Sequence, residues 1–114
     1  MHEQSLVQAL LDLIEEYAGR YGAKKICRVR LSCGRVSGIE PACLRFAFAV
    51  QSQGTVADGA HLELDLLPVR IYCFACEQEI QDEAYHAVCP RCRGSAVVLV
   101  GGTEELKLID MDAE

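Results

Sequence analysis

At 114 residues the chain has room for one compact domain, or one domain with a small satellite, and a hydrophobic share of 51% supplies a core. Eleven Lys+Arg against 17 Asp+Glu give a net charge of −6, which argues against non-specific nucleic-acid binding. No apolar run approaches membrane-spanning length, and an acidic residue opens the chain where a signal peptide would carry a basic start, so the expected compartment is the cytoplasm. Seven cysteines are many for this length, and the odd number fits a disulfide framework poorly. In a reducing compartment they read as metal ligands, reactive thiols or buried fillers.

Met1-His2-Glu3 is the first candidate site. A free α-amine, the His2 backbone amide and the His2 imidazole can close two fused chelate rings around one metal, and three nitrogens in a plane suit Ni(II) or Cu(II). Glu3 can fill a fourth position. The bulk of His2 favours retention of Met1. Three residues at a terminus are more often simply an unstructured start, so the motif needs support from the rest of the chain.

From Ser5 to Tyr21 the pattern is helical, with Leu6, Leu10, Leu13, Tyr17 and Tyr21 on one stripe widened by Ala9 and Ile14. Ser5 and Gln8 have capping-box spacing, a helix start two residues earlier being equally open, and Gly22 marks a stop. Lys25 to Cys33 alternates as a strand, with Cys27, Val29, Leu31 and Cys33 on its inward face. Glu40-Pro41 starts a second helix, whose apolar run from Cys43 to Val50 predicts deeper burial than the first. Cys27, Cys33 and Cys43 accordingly read as small buried hydrophobes. A strand over 60–66 puts Leu62, Leu64 and Leu66 inward and leaves His61 on its polar face. After Gly101-Gly102 a last strand over 105–111 is too short to stand alone and should pair back onto the first sheet.

Between these strands stand Cys73-Phe-Ala-Cys76 and Cys89-Pro-Arg-Cys92, twelve residues apart. Two such knuckles complete a tetrahedral thiolate site, and four thiolates select Zn(II) or iron over hard metals. With no open position the site is structural, and metal binding folds a segment too small to build its own core. A redox role for the pairs is the lesser reading, since neither opens a helix. His86 is a spare ligand at most. Gly usually relieves a left-handed backbone after each pair, but Glu77 and Arg93 stand there, with Gly94 one residue late. From Ile71 to Ser95 two basic residues face four acidic ones, a balance that should repel phosphates.

The expected fold is α+β, two helices on a small mixed three-stranded sheet with an inserted zinc-ribbon module. The sheet domain spans 1–70 and 101–114, and the ribbon spans 71–100. No nucleophile–base arrangement and no phosphate-cradling glycine loop is present, so an enzyme is not expected.

These pieces, taken together, resemble the HypA/HybF family of nickel metallochaperones in hydrogenase maturation. The resemblance rests on Met1-His2-Glu3 with Ser5-Leu6, on Ser37-Gly38-Ile39-Glu40-Pro41 with Leu44-Arg45-Phe46-Ala47-Phe48, on the two CxxC pairs and on the closing 102–109 strand. It implies transient Ni(II) at His2, with the Met1 amine and Glu3 in support, and structural Zn(II) on Cys73, Cys76, Cys89 and Cys92. It also implies a HypB-type GTPase partner and the precursor of the NiFe-hydrogenase large subunit as recipient, with urease maturation proteins served in some organisms. Neither nucleic acid nor membrane is an expected partner, and monomer and dimer both stay open. The reading from another class is a zinc-ribbon adaptor that binds protein or nucleic acid and uses no nickel.

Overall fold

The computed structural model describes residues 3–114, so Met1 and His2 of the terminal motif lie outside the described residues, as does the side chain of Glu3. The elements run α1 (Glu3–Arg20), β1 (Ile26–Gly34), a single 3₁₀ turn (Arg35–Ser37), α2 (Pro41–Gln51), β2 (His61–Leu67), β3 (Val69–Cys73), β4 (Gln78–Asp82), β5 (Val97–Gly101) and β6 (Lys107–Ala113). They build two three-stranded sheets, ordered β2-β1-β6 and β4-β3-β5. The chain divides into two compact units. Among the described residues, one holds 3–31, 39–64 and 108–114, the other 32–38 and 65–107.

In the first unit α1 and α2 pack on each other. The buried face of α1 is Val7, Leu10, Leu11, Ile14 and Ala18. Leu10 and Ile14 of the predicted stripe are buried as expected, but Val7, Leu11 and Ala18 complete the face, while Leu6, Leu13 and Tyr17 are half-buried and Ala9 and Tyr21 exposed. The sequence carries apolar residues at both 6-10-13-17 and 7-11-14-18, two stripes of the same period, and helical periodicity alone does not choose between them. Of the two starts the sequence allows, the helix takes the earlier one. Ser5 lies inside it, and Gln8 donates to Asp12 Oδ1 at 3.0 Å, one turn on, instead of capping.

The second helix begins as expected. Glu40 is its N-cap, accepting from the Ala42 N–H at 3.2 Å, with Pro41 in the first turn. Its burial is shallower than the apolar run suggests. Only Leu44, Ala47 and Phe48 are buried, and Phe46 is 73% exposed. A helix on the outside of a two-helix layer has one face to bury, whatever its composition. Cys43 consequently sits exposed, against expectation, while Cys33 is fully buried and Cys27 half-buried.

The last strand does return to the first sheet, beside β1. Arg28 of the central strand reaches carboxylates on both neighbours, donating to Glu63 of β2 at 2.6 Å and to Asp110 and Asp112 of β6 at 2.8 and 2.6 Å. Its hydrogen bonds to these groups raise the guanidinium pKa further, and the bond from Arg28 holds the Asp112 carboxyl below its ordinary value. The Cys27 thiol donates to the Asp112 carbonyl at 3.3 Å.

The second unit holds the ribbon. Strand β3 is its centre, antiparallel to β4 and to β5, and its inward residues Val69, Ile71 and Cys73 form a small cluster with Cys89. Ile80, Val97 and Leu99 close over that cluster only in part. The end of β1 and the turn after it belong to this unit and are held in it by backbone bonds. The Gly34 N–H donates to Glu104 O at 2.8 Å and the Val36 N–H to Gly102 O at 2.9 Å.

Candidate metal centre

Strand β3 ends on Cys73, and the chain then turns through Phe74-Ala75 to Cys76. The turn is held by the Phe74 N–H donating to Ala96 O at 2.9 Å and the Glu77 N–H returning to Cys73 O at 2.8 Å. The second pair repeats the device, with the Arg93 N–H on Cys89 O at 2.8 Å, but its turn over residues 90–92 has no strand leading into it. Backbone amides also donate into the sulfurs. Cys76 N–H reaches Cys73 Sγ at 3.4 Å, Arg91 and Cys92 N–H reach Cys89 Sγ at 3.4 and 3.5 Å, and Gly94 N–H reaches Cys92 Sγ at 3.4 Å. Gly94, one residue past the expected position, serves as a sulfur donor.

The four sulfurs converge. Cys73 Sγ lies 3.7 Å from Cys92 Sγ, Cys76 Sγ lies 3.9 Å from Cys89 Sγ, and all four fall within 4.8 Å of one another. Four sulfurs each about 2.3 Å from one tetrahedral zinc stand about 3.8 Å apart, so the donor set matches a zinc-sized centre. Disulfides would need sulfurs at about 2.05 Å, and every cysteine is free.

Charge in the cluster is unevenly shared. The N–H groups of Cys92 and Arg91 that point at Cys89 bring its thiol down to about 7, whereas burial and the neighbouring sulfurs push Cys76 up to about 12. Four thiolates cannot coexist here unaided, and a divalent cation is what would let them. The cluster is compatible with structural zinc. Among the described residues it is the one group with this geometry: His86 is exposed and outside it, and Cys27, Cys33 and Cys43 do not join it.

Glu77 and Arg93 both adopt the left-handed conformation, at φ 54° and 63°. That is the strain expected where Gly is missing after each pair. A left-handed non-glycine residue costs about 1–2 kcal/mol, against about 0.5–1 kcal/mol of extra chain entropy for glycine. Glu77→Gly is therefore expected to stabilise the zinc-loaded protein by roughly 0.5 kcal/mol. A urea unfolding midpoint that falls would contradict this account of the knuckle.

At the other candidate site, Gln4 and Ser5, which follow the terminal motif, line a groove of about 780 Å³ with Cys43, Phe46 and Val50 of α2. The exposed apolar face of α2 is legible as Phe46 and Val50 four residues apart, once the buried face is known. In the sequence it is hidden in a run that is apolar on every side.

Comparison with known proteins decides what this pairing of features belongs to. The family model described as "Hydrogenase/urease nickel incorporation, metallochaperone, hypA" matches residues 1–113. The chain belongs to the HypA family. Similar relatives include the hydrogenase maturation factor HypA of Syntrophus aciditrophicus, 48% identical over 114 residues and covering all of both chains. HypA of Rhodobacter capsulatus is 38% identical over 112 residues, 98% of each chain. Among solved structures, the solution structure of the Ni metallochaperone HypA from Helicobacter pylori superposes with a TM-score of 0.65 at 29% identity, covering 99% of this chain and 97% of that one. HypA proteins are nickel metallochaperones of hydrogenase maturation and not catalysts, and membership implies partners within that process. No helix among the described residues is long and apolar enough to cross a membrane.

Proposed function

We propose that this HypA-family chain carries Ni(II) at its N-terminus and surrenders it to a partner. The Met1 amine and His2 would supply the nitrogens, with Glu3 as the adjoining carboxylate. The observation that carries this reading is that the family match runs from residue 1 and so takes in Met1-His2-Glu3. A carrier needs donors that can be taken over by another protein, and a terminal amine and an imidazole on a short leash permit such exchange. The recipient is the precursor of the NiFe-hydrogenase large subunit, reached with a HypB-type GTPase in the cytoplasm; urease maturation proteins are a second recipient class. Zinc on Cys73, Cys76, Cys89 and Cys92 is the resident metal, holding the ribbon and taking no part in the exchange.

Extending the chain before Met1, or acetylating its amine, is expected to weaken nickel binding by about 100-fold or more, because one chelate ring is lost. His2→Ala should do the same while zinc content stays constant. Calorimetric titration of zinc-loaded protein with Ni(II) reads both. Unchanged nickel affinity in the extended protein would remove the amine from the site, and loss of zinc together with nickel in His2→Ala would mean one site instead of two.

A further inference from the structure

The four cysteines of the ribbon differ in how far solvent reaches them. Cys92 is exposed and Cys76 half-buried, whereas Cys73 and Cys89 are buried. The two short sulfur contacts both cross between the knuckles, and each joins a reachable sulfur to a covered one. Cys92 meets Cys73 at 3.7 Å, and Cys76 meets Cys89 at 3.9 Å. Inside each knuckle the arrangement is different. The Cys76 N–H donates to Cys73 Sγ at 3.4 Å and the Cys92 N–H to Cys89 Sγ at 3.5 Å, so the first sulfur of each pair is held against the backbone of its own turn. Cys92 also stands in the chain between two exposed arginines, Arg91 and Arg93. An accessible sulfur in electropositive surroundings is what marks a cysteine for oxidation.

We propose that the ribbon is a peroxide-modifiable site, in which hydrogen peroxide enters at Cys92 and Cys76 and links Cys73 to Cys92 and Cys76 to Cys89 as cross-knuckle disulfides. The Cys92 thiolate attacks one peroxide oxygen, the O–O bond breaks, and Cys92 becomes a sulfenic acid as hydroxide leaves. The Cys73 thiolate then attacks that sulfur, the S–S bond forms, and a second hydroxide leaves. Cys76 and Cys89 repeat both steps with another peroxide. Each disulfide thus passes two electrons from sulfur to one peroxide. Closing either contact takes under about 2 Å of sulfur movement, and the turn that carries Cys92 has no strand leading into it.

Oxidation leaves the site without an anionic donor, so zinc is released. The ribbon stays tied. Cross-knuckle bonds join the end of β3 to the 89–92 turn, whereas bonds within each pair would close only the knuckles and leave them unconnected. Reduction returns the same four thiolates, so the modification is reversible.

Treating the zinc-loaded full chain with excess hydrogen peroxide tests this. Free thiols are then blocked by alkylation, and cleavage after Phe74, Glu83 and Arg91 separates all four cysteines for mass spectrometry. Peptides joining Cys73 to Cys92 and Cys76 to Cys89 are expected, with about one zinc released for every two disulfides. Dithiothreitol with added zinc should restore the metal. The oxidised, zinc-free chain should also keep amide protection in β3 and β5 that the reduced chain loses to a chelator. Disulfides mainly within the pairs, zinc loss without disulfides, or zinc retained under peroxide would each overturn the proposal. Metal that dithiothreitol cannot restore, or oxidised amides exchanging as fast as those of the stripped chain, would do so too. C43S removes the exposed thiol outside the cluster and should change none of this; a disulfide pattern that needs Cys43 overturns the proposal equally.

Discussion

Cys89→Ser is expected to cost the ribbon its zinc and, with it, the ordered structure of residues 69–101. Cys89 is fully buried beside Val69, Ile71 and Cys73, and its sulfur collects the amides of Arg91 and Cys92. It is thus both a member of the apolar cluster and the most readily ionised thiol, lowered to about 7 by those amides. A serine hydroxyl is a poor zinc donor at neutral pH, and a three-thiolate remnant binds far more weakly. Zinc in small structural sites contributes about 10–16 kcal/mol of apparent binding energy, which is folding energy when no preformed site exists in the unfolded chain. The apolar side of the ribbon cannot replace it. Two aliphatic residues, Val69 and Ile71, are fully covered, and the others around them are not. Metal analysis together with amide exchange across 69–101 reads the result. Protected amides in zinc-free C89S would show that packing holds the ribbon and that the metal is incidental. Because zinc binds the thiolate forms, protons compete with it for all four sulfurs, so zinc retention should fall as pH drops.

Gly34→Ala is the second large effect, and it has nothing to do with backbone conformation. Gly34 has φ −79° and ψ 148°, which any residue accepts. The obstacle is space: a Cβ there would lie 2.0 Å from the Gly102 carbonyl oxygen and 2.8 Å from Glu104 N. Both obstacles are backbone, so neither can rotate away. The segment would have to move off, and with it go the bonds from Gly34 N–H to Glu104 O and Val36 N–H to Gly102 O. Two backbone bonds at about 1 kcal/mol each and a displaced close contact at about 1–3 kcal/mol give an expected loss of roughly 3–5 kcal/mol. Gly19→Ala is the contrasting case. It sits in α1 with nothing within 4 Å of its Cβ, and it should gain about 0.5–1 kcal/mol. Urea unfolding of the zinc-loaded pair checks both, and a G34A protein as stable as the parent would mean that the close approach yields cheaply.

Much of this is legible in the sequence because it rests on local chemistry. Two CxxC pairs twelve residues apart can be read as four ligands before any fold is known, since each pair brings its own turn. The left-handed positions at Glu77 and Arg93 are visible for the same reason: the knuckle needs that conformation whichever residue occupies it. Glu40-Pro41 announces the start of α2 because a cap and its proline act within one turn.

Other features depend on what the elements meet. Composition makes α2 look deeply buried, yet Phe46 and Cys43 are exposed, because burial depends on neighbours and α2 has a layer on one side only. The buried face of α1 departs in part from the expected stripe for a related reason: two stripes share one period, and packing chooses between them. No sequence pattern marks Gly34 as indispensable, since the oxygen that excludes its Cβ belongs to Gly102, far along the chain.

By itself the sequence determined the four-cysteine pattern of the ribbon, the helix–strand–helix–strand order of the first domain and the family, because residue type, spacing and periodicity are properties of neighbouring residues. Only the tertiary structure decided which side of each helix is covered, how β6 returns to β1, and which backbone closes over Gly34. Those are outcomes of chain segments far apart in sequence competing for the same space.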